Sequence, residues 1–201
     1  MQLLTQNAKL KATSKAIGKK VLNFGIPAYK TSSGKLTCPM AKECIKFCYA
    51  QKGAYNWGNV KPVYEWRYNT SKKDNFVQIM NDEINRKKPA YIRVHDSGDY
   101  YSKAYLNKWL EIAQLNPNVK FYSYTNMIQL IKDINIPDNF DFIFSDSGKQ
   151  KQLINKNTDR HTAIFKDSDS LFTAGYIDAS KNDILATKWH NKNNKIGLIF
   201  H

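Results

Sequence analysis

Short runs of β-branched and aromatic residues recur along the chain and are separated by stretches with helical spacing of apolar side chains. These runs predict strands over residues 21–26, 91–95, 119–124, 140–144, 161–165 and 195–200. The helical spacing predicts a long helix over 63–87, a helix from the cap residue Ser102 to 115, and shorter ones over 41–50, 127–132 and 178–189. Residues 1–20 are polar and basic and show no clear period.

The strands near residues 93, 122 and 143 follow one another at the spacing of β-α units, which is typical of a parallel sheet. We therefore predict one α/β domain over residues 1–201. Its mostly parallel sheet is expected to form a partial or reduced TIM-barrel-like arrangement, with a cysteine-bearing loop after the first strand.

Polar residues cluster directly after three of these strands, where sites in parallel α/β folds usually lie. The expected ligand-binding positions are Ser97, Gly98, Asp99, Thr125, Asn126 and Asp146. His95, Asp96 and Asp99 are the candidate catalytic residues. Each has a simpler alternative: a hydrogen-bonded core histidine for His95, and turn formation or helix capping for the others.

The three cysteines of the chain, Cys38, Cys44 and Cys48, all lie within eleven residues. An odd number of clustered cysteines does not suit a disulfide framework. On a helix, Cys44 and Cys48 would share one face, with Cys38 folding back over it, so that three thiolates converge on a soft metal. A [4Fe–4S] cluster with one iron open to a small molecule is the favoured occupant. Zinc is the alternative and would need a fourth ligand such as His95 or His161.

The formal charge is +14, from 31 basic and 17 acidic residues, which at first suggests a nucleic-acid-binding protein. Only four of the basic residues are Arg, and the lysines are scattered, so a Lys-rich composition explains the charge equally well. No long apolar window or signal peptide is present, so a cytoplasmic protein without a membrane partner is expected. P-loop, zincin and nucleophile-elbow motifs are absent from the sequence.

Several segments resemble the phage and plasmid family called gene product 88. They are Asn7–Lys9, Thr37–Pro39, the Cys44-x3-Cys48-Tyr-Ala50 motif, Ile92–Ser102, Phe121–Thr125 and Asp159–Arg160. The resemblance covers most of the chain and implies a protein of viral or mobile-element origin that acts in the cytoplasm of a bacterial host. It implies no particular reaction.

A more distant similarity is to radical S-adenosylmethionine enzymes, which carry a three-cysteine cluster loop after the first strand of a partial barrel. Phe47 and Tyr49 flank the last cysteine here, and the Ser97-Gly98-Asp99 turn resembles the turn that holds the methionine amino group in those enzymes. The cysteines are separated by five and three residues, where those enzymes have three and two. The resemblance implies S-adenosylmethionine as a further cofactor.

The sequence thus predicts a phage-encoded iron–sulfur protein. It leaves open whether the protein is an enzyme; if it is one, a redox enzyme or one similar to radical S-adenosylmethionine enzymes is expected. The alternative is a zinc-stabilised accessory protein that binds nucleic acid through its lysines.

Overall fold

The computed structural model describes residues 1–199, in which seven strands form one parallel sheet. The strands are β1 (Val21–Phe24), β2 (Tyr91–Val94), β3 (Lys120–Thr125), β4 (Phe140–Ser145), β5 (His161–Phe165), β6 (Ile177–Asp178) and β7 (Lys195–Ile199). Their spatial order is β1-β2-β3-β4-β5-β7-β6. The sheet curls into half a barrel, which confirms the predicted α/β class and partial barrel.

Most of the helices lie between consecutive strands. They are α1 (Ala8–Ile17), α2 (Lys61–Ser71), α3 (Phe76–Lys87), α4 (Lys103–Leu115), α5 (Ile128–Lys132) and α6 (Ser168–Thr173). Single 3-10 turns occur at Glu43–Phe47, Tyr49–Gln51, Gly53–Asn56, Lys151–Leu153 and Asp183–Ala186. Among residues 1–199, no helix combines the length and the apolar character needed to cross a bilayer.

The two faces of the sheet are covered differently. On the first, called here the helix face, Ile92 and Val94 of β2 pack in one apolar cluster with side chains of α3 and α4. On the second, called the cavity face, Tyr91 and Tyr122 pack with Leu10 of α1 and with residues of the 183–186 turn. The alternation of side chains along each strand sorts these residues between the two clusters.

Aromatic rings dominate the centre of the helix face. Trp109 of α4 is fully buried, with its ring centroid 5.1 Å from that of Phe24 and 5.8 Å from that of Phe76. The cap of α4 is as the sequence predicts, since the Ser102 hydroxyl accepts a hydrogen bond from the Tyr105 N–H at 3.2 Å. The helix thus begins where its apolar stripe can meet the sheet.

The predicted helix over 41–50 is wrong. The backbone there forms two short 3-10 turns separated by Cys48, whose φ and ψ of −64° and 111° are extended. The reason is that neighbouring backbone groups bond to the turn after β4: the Glu43 N–H donates to the Ser147 carbonyl at 3.0 Å, and the Met40 carbonyl accepts from the Lys149 N–H at 2.8 Å. Cys44 and Cys48 therefore do not share a helix face.

The predicted long helix over 63–87 is two helices, α2 and α3, which are separated by residues 72–75. The Ser71 hydroxyl donates back to the Tyr68 carbonyl, and Lys108 of α4 donates to the carbonyls of Ser71 and Lys73. These bonds satisfy backbone groups that the break leaves without helical partners.

Two further differences concern the ends of the chain. The predicted helix over 178–189 is wrong: β6 ends at Asp178, and only a 3-10 turn follows, because the Asp183 N–H bonds to Thr13 and the Lys188 N–H bonds to the Asp141 carboxylate at 2.6 Å. Conversely, α1 lies in the stretch that shows no period. The Asn7 side chain accepts from the Leu10 N–H, and Gly18 ends the helix at a φ of 63°. Residue 200 of the last predicted strand lies outside the described residues.

Candidate functional site

A cavity of about 960 Å³ lies along the carboxyl-terminal edge of the sheet. Its walls come from the start of α1, the cysteine-bearing segment, the turns after β2, β3 and β4, and the ends of β5 and β7. The predicted site residues that line it are Cys38, Cys44, Cys48, His95, Asp96, Ser97, Gly98, Asp99, Asn126 and Asp146. The topology of a parallel sheet brings these separate turns to one edge.

The cysteine-bearing segment is fastened to this edge at or next to each cysteine. The Cys38 sulfur accepts a hydrogen bond from the Tyr29 N–H at 3.4 Å. The Cys44 sulfur lies 3.9 Å from the side-chain nitrogen of Asn126, in the turn after β3. Tyr49 follows Cys48 directly, and its hydroxyl donates to the Asp96 carbonyl in the turn after β2. Contacts with three different parts of the fold thus keep the three cysteines around one cavity.

The surroundings of Cys38 and Cys48 favour the protonated thiols in the absence of a cation. Burial raises the pKa of Cys38, and the nearby Asp99 carboxylate raises it further. Burial also raises the pKa of Cys48, and the neighbouring Cys44 adds to the effect. Within residues 1–199, no three His, Cys, Asp or Glu side chains are already grouped closely enough to hold a metal ion. A metal would have to draw the thiols together and displace their protons.

His95 has the surroundings of a core histidine. Its Nε2 lies 2.8 Å from the Tyr105 hydroxyl, and the edge of its ring packs on Tyr100 with centroids 4.6 Å apart. Its Nδ1 is buried and has no partner in the described chain. Burial lowers the pKa of His95 to about 3, so the ring is neutral. Its φ of 66° turns the backbone from the end of β2 into the following turn.

Asp96 lies beneath a group of tyrosines. The hydroxyls of Tyr55 and Tyr64 donate to its Oδ2 at 3.1 and 3.2 Å. Its Oδ1 approaches Gly25 so closely that a Cβ on that glycine would lie 2.0 Å away. Burial raises the pKa of Asp96, and Arg93 and Arg67 oppose that rise. The carboxylate is therefore packed against the turn after β1, while Oδ1 has no hydrogen-bond partner among residues 1–199.

Asp99 ties the turn after β2 to the turn after β3. It accepts hydrogen bonds from the Tyr100 N–H at 2.8 Å, the Thr125 hydroxyl at 2.6 Å and the Asn126 N–H at 2.9 Å. Burial raises its pKa to about 6, although these bonds favour the charged form. Its carboxylate is engaged within the protein, and Thr125 serves it without lining the cavity.

The remaining predicted residues differ in whether they have a polar group available to bind a ligand. The Ser97 hydroxyl is buried and has no hydrogen-bond partner among residues 1–199. Gly98 has a φ of 86° and packs on Ile26, so a side chain there would clash. Asp146 forms an ion pair with Lys156 at 2.8 Å.

Sequence reasoning missed a charged cluster on the cavity face. Asp183, which is fully buried, lies 2.8 Å from the Lys9 ammonium, 3.2 Å from Arg93 Nη1 and 2.7 Å from the Tyr122 hydroxyl. Although burial opposes ionisation, Arg93 and Lys9 lower the pKa of Asp183 to about 2. Arg93 also donates to the Tyr49 hydroxyl at 3.3 Å, which connects the cluster to the cysteine-bearing segment. Arg93 stands among the apolar residues of β2, and that placement was the available signal.

Comparison with known proteins identifies relatives in bacteriophages. The chain is 27% identical to the Gene 88 protein of Mycobacterium phage L5 and 25% identical to that of Mycobacterium phage D29. Each alignment covers 52% of this chain and 47% of the relative, so the matched region spans about half the length of those proteins. No solved structure matches the chain. The family model described as gene product 88 matches residues 1–197, and the chain therefore belongs to that family.

Proposed function

We propose that this protein is an iron–sulfur protein in which Cys38, Cys44 and Cys48 hold a [4Fe–4S] cluster at the cavity. The observation that carries the proposal is that all three cysteines of the chain line this one cavity, at the edge where parallel α/β folds bind ligands. Thiolates are the preferred ligands of such clusters.

The donor set fits a cluster with one iron available to another molecule. The three cysteines would ligate three of the four irons, and the cavity that they line has room for a small molecule. When bound, such a cluster supplies electron transfer or Lewis-acid chemistry at the open iron. The side chains of the 3-10 turn that carries Cys44 are not buried, so this segment can adjust around a metal.

His95 could serve as the fourth ligand only through Nδ1, which is buried and has no partner among residues 1–199. Its Nε2 already bonds to Tyr105, and its ring is packed among aromatic side chains. Both ring nitrogens of His161, the other candidate, have partners, the Asp159 carbonyl and the Tyr176 hydroxyl. Zinc, the alternative metal, would therefore need His95 Nδ1 or a ligand from another molecule to complete its tetrahedral set.

The structure does not strengthen the case for S-adenosylmethionine. Asp99 occupies the turn that would hold the amino group, but its carboxylate already accepts three hydrogen bonds from the protein. Cleavage of S-adenosylmethionine by the reduced protein is the assay that would establish this narrower activity. The phage origin of the relatives supports action in an infected bacterial cell.

Anaerobic purification followed by metal analysis tests the proposal. We expect a brown protein that absorbs broadly near about 400 nm and contains about four iron and four sulfide per chain. Cys44→Ser should lose the absorption and most of the iron. Met40→Leu is the matched control, because it removes another sulfur atom of the same segment without removing a thiolate.

If the purified protein is colourless and contains stoichiometric zinc, the site holds a structural zinc ion and the cluster proposal is wrong. Equal iron content in Cys44→Ser and Met40→Leu would overturn the assignment of the cysteines. DNA binding that weakens steeply with salt would instead support the zinc-stabilised nucleic-acid-binding alternative.

A further inference from the structure

Two cations converge at one point on the cavity face. The Lys9 ammonium and Arg93 Nη1 contact the same oxygen, Oδ1 of Asp183, at 2.8 and 3.2 Å. The two positive groups are therefore immediate neighbours, and both residues line the cavity. A second anion placed between them would be bound by both.

These cations have more donors than the protein uses. Asp183 already accepts from Lys9, Arg93 and Tyr122. A lysine has three N–H donors and an arginine has five. Arg93 Nε is buried and meets no acceptor in the described chain, and the Lys9 side chain remains 28% exposed.

The other carboxylates around the cavity bond to groups other than Lys9 and Arg93, and Asp96 Oδ1 is buried with no hydrogen-bond partner among residues 1–199. Asp96 and Asp99 accept from tyrosine, threonine and backbone donors. Glu43 pairs with Lys151 at 2.9 Å, and Asp146 pairs with Lys156. Among the carboxylates that line the cavity, Lys9 and Arg93 thus form ion pairs with Asp183, and both residues line the cavity themselves.

The start of α1 adds to the positive character of this position. Asn7, Ala8 and Lys9 all line the cavity, and the first turn of α1 contains no acidic residue. Backbone N–H groups at the beginning of a helix favour negative charge.

The wall formed by the ends of β5 and β7 is apolar. Ile164, Leu198 and Ile199 line it, and Ile164 is 44% exposed although its side chain is a large hydrophobic one. A ligand that covers this wall needs an apolar part, which a simple inorganic ion lacks.

We propose that the cavity binds a small organic anion, whose carboxylate or phosphate group bridges Lys9 and Arg93 and whose apolar part contacts Ile164 and Leu198. The binding does not depend on the proposed cluster, because none of these groups is a cysteine. Iron content measured on the same samples separates the two questions.

Ligand-observed NMR on the full chain tests the proposal with three probes: phenyl phosphate, benzoate and benzyl alcohol. We expect saturable binding of at least one of the two anions, and the stronger one identifies phosphate or carboxylate as the preferred group. The neutral alcohol should bind at least tenfold more weakly, as expected when a charged hydrogen bond is absent. Lys9→Met should weaken anion binding about tenfold. Lys11→Met, which removes an exposed lysine of the same helix, should leave it unchanged.

A second pair of variants tests the proposal independently if the Lys9→Met protein does not fold. Ile164→Glu places a negative charge on the exposed apolar wall and should weaken anion binding about tenfold, whereas Ile164→Gln should weaken it less. Any of three results would overturn the proposal. Anion binding could be weakened equally in Lys9→Met and Lys11→Met, it could be weakened equally in the two Ile164 variants, or the anions could bind no more strongly than the alcohol.

Discussion

The two faces of the sheet bury different chemistry at adjacent positions of the same strands. On β2, Ile92 and Val94 face an apolar cluster, whereas Arg93 between them faces a carboxylate on the other side. On β3, Phe121 belongs to the apolar cluster, and its neighbour Tyr122 donates to that same carboxylate. One-residue alternation thus separates a core from the floor of a cavity.

The difference follows from the half-barrel. Helices cover the helix face fully, so its side chains are held by close packing, which is non-directional. Among residues 1–199, no strand lies opposite the cavity face, and α1 and the 183–186 turn cover it only in part. These elements contribute Lys9 and Asp183, so this face combines an apolar cluster with specific charged partners.

The largest loss of stability is expected on the helix face. Trp109→Ala removes a fully buried ring that contacts Phe24 and Phe76, and should lower the free energy of unfolding by about 3–5 kcal/mol. Leu115→Ala, at an exposed position of the same helix, should change it by less than about 0.5 kcal/mol. Urea unfolding followed by circular dichroism measures both. Similar values for the two variants would contradict a packed helix face.

A somewhat smaller loss is expected from breaking the charged cluster. Asp183→Asn leaves Lys9 and Arg93 facing each other without a counter-ion, and should cost about 3 kcal/mol near neutral pH. The carboxylate has a pKa of about 2 in the folded protein and an ordinary value of 3.8. Its contribution is therefore present above about pH 4 and is lost as the pH falls towards 2.

The wild type and Asp183→Asn should consequently converge in stability over that acidic range, which urea unfolding at a series of pH values measures. Asp74→Asn is the matched control, because Asp74 is exposed and its substitution should leave the pH dependence unchanged. A constant difference between wild type and Asp183→Asn from pH 7 to 2 would show that the loss comes from packing and not from charge.

The helix face was more predictable from sequence than the cavity face, because its elements depend on residues that are close to one another in the sequence. The strand over 140–144, which supplies Phe140 and Phe142 to the apolar cluster, and the cap at Ser102 depend on neighbouring residues, and both were predicted correctly. The contact between Lys9 and Asp183 joins residues from opposite ends of the chain, so no sequence feature near either residue predicts it. Asn7 and Gly18 did mark the ends of α1, but the polar stretch between them concealed the helix.

The cysteine-bearing segment also shows that contacts between distant residues limit prediction from the sequence. The spacing of Cys44 and Cys48 suits a helix, but the backbone contacts with residues 147–149 impose 3-10 turns instead. Local propensity is overridden here by a neighbouring turn of the sheet edge. The meeting of the turns after β2 and β3 was expected from topology, and the bonds from Asp99 to Thr125 and Asn126 show how it is made.

The smallest effect is expected at the rim between the two faces, and it tests whether the cavity edge is packed as tightly as the core. Gly25→Ala would place a Cβ 2.0 Å from Asp96 Oδ1 and 2.7 Å from the Tyr64 ring, so these groups must move. We expect a loss of about 1–3 kcal/mol in the free energy of unfolding. Gly58→Ala meets no atom within 4 Å and should be neutral within about 0.5 kcal/mol. Thermal and urea unfolding compare the pair.

If Gly25→Ala lowers the free energy of unfolding no more than Gly58→Ala does, the turn that carries Asp96 yields readily, and the rim is packed less tightly than the helix face. A full loss instead means that Asp96 and its tyrosines form a rigid edge beside the cysteines.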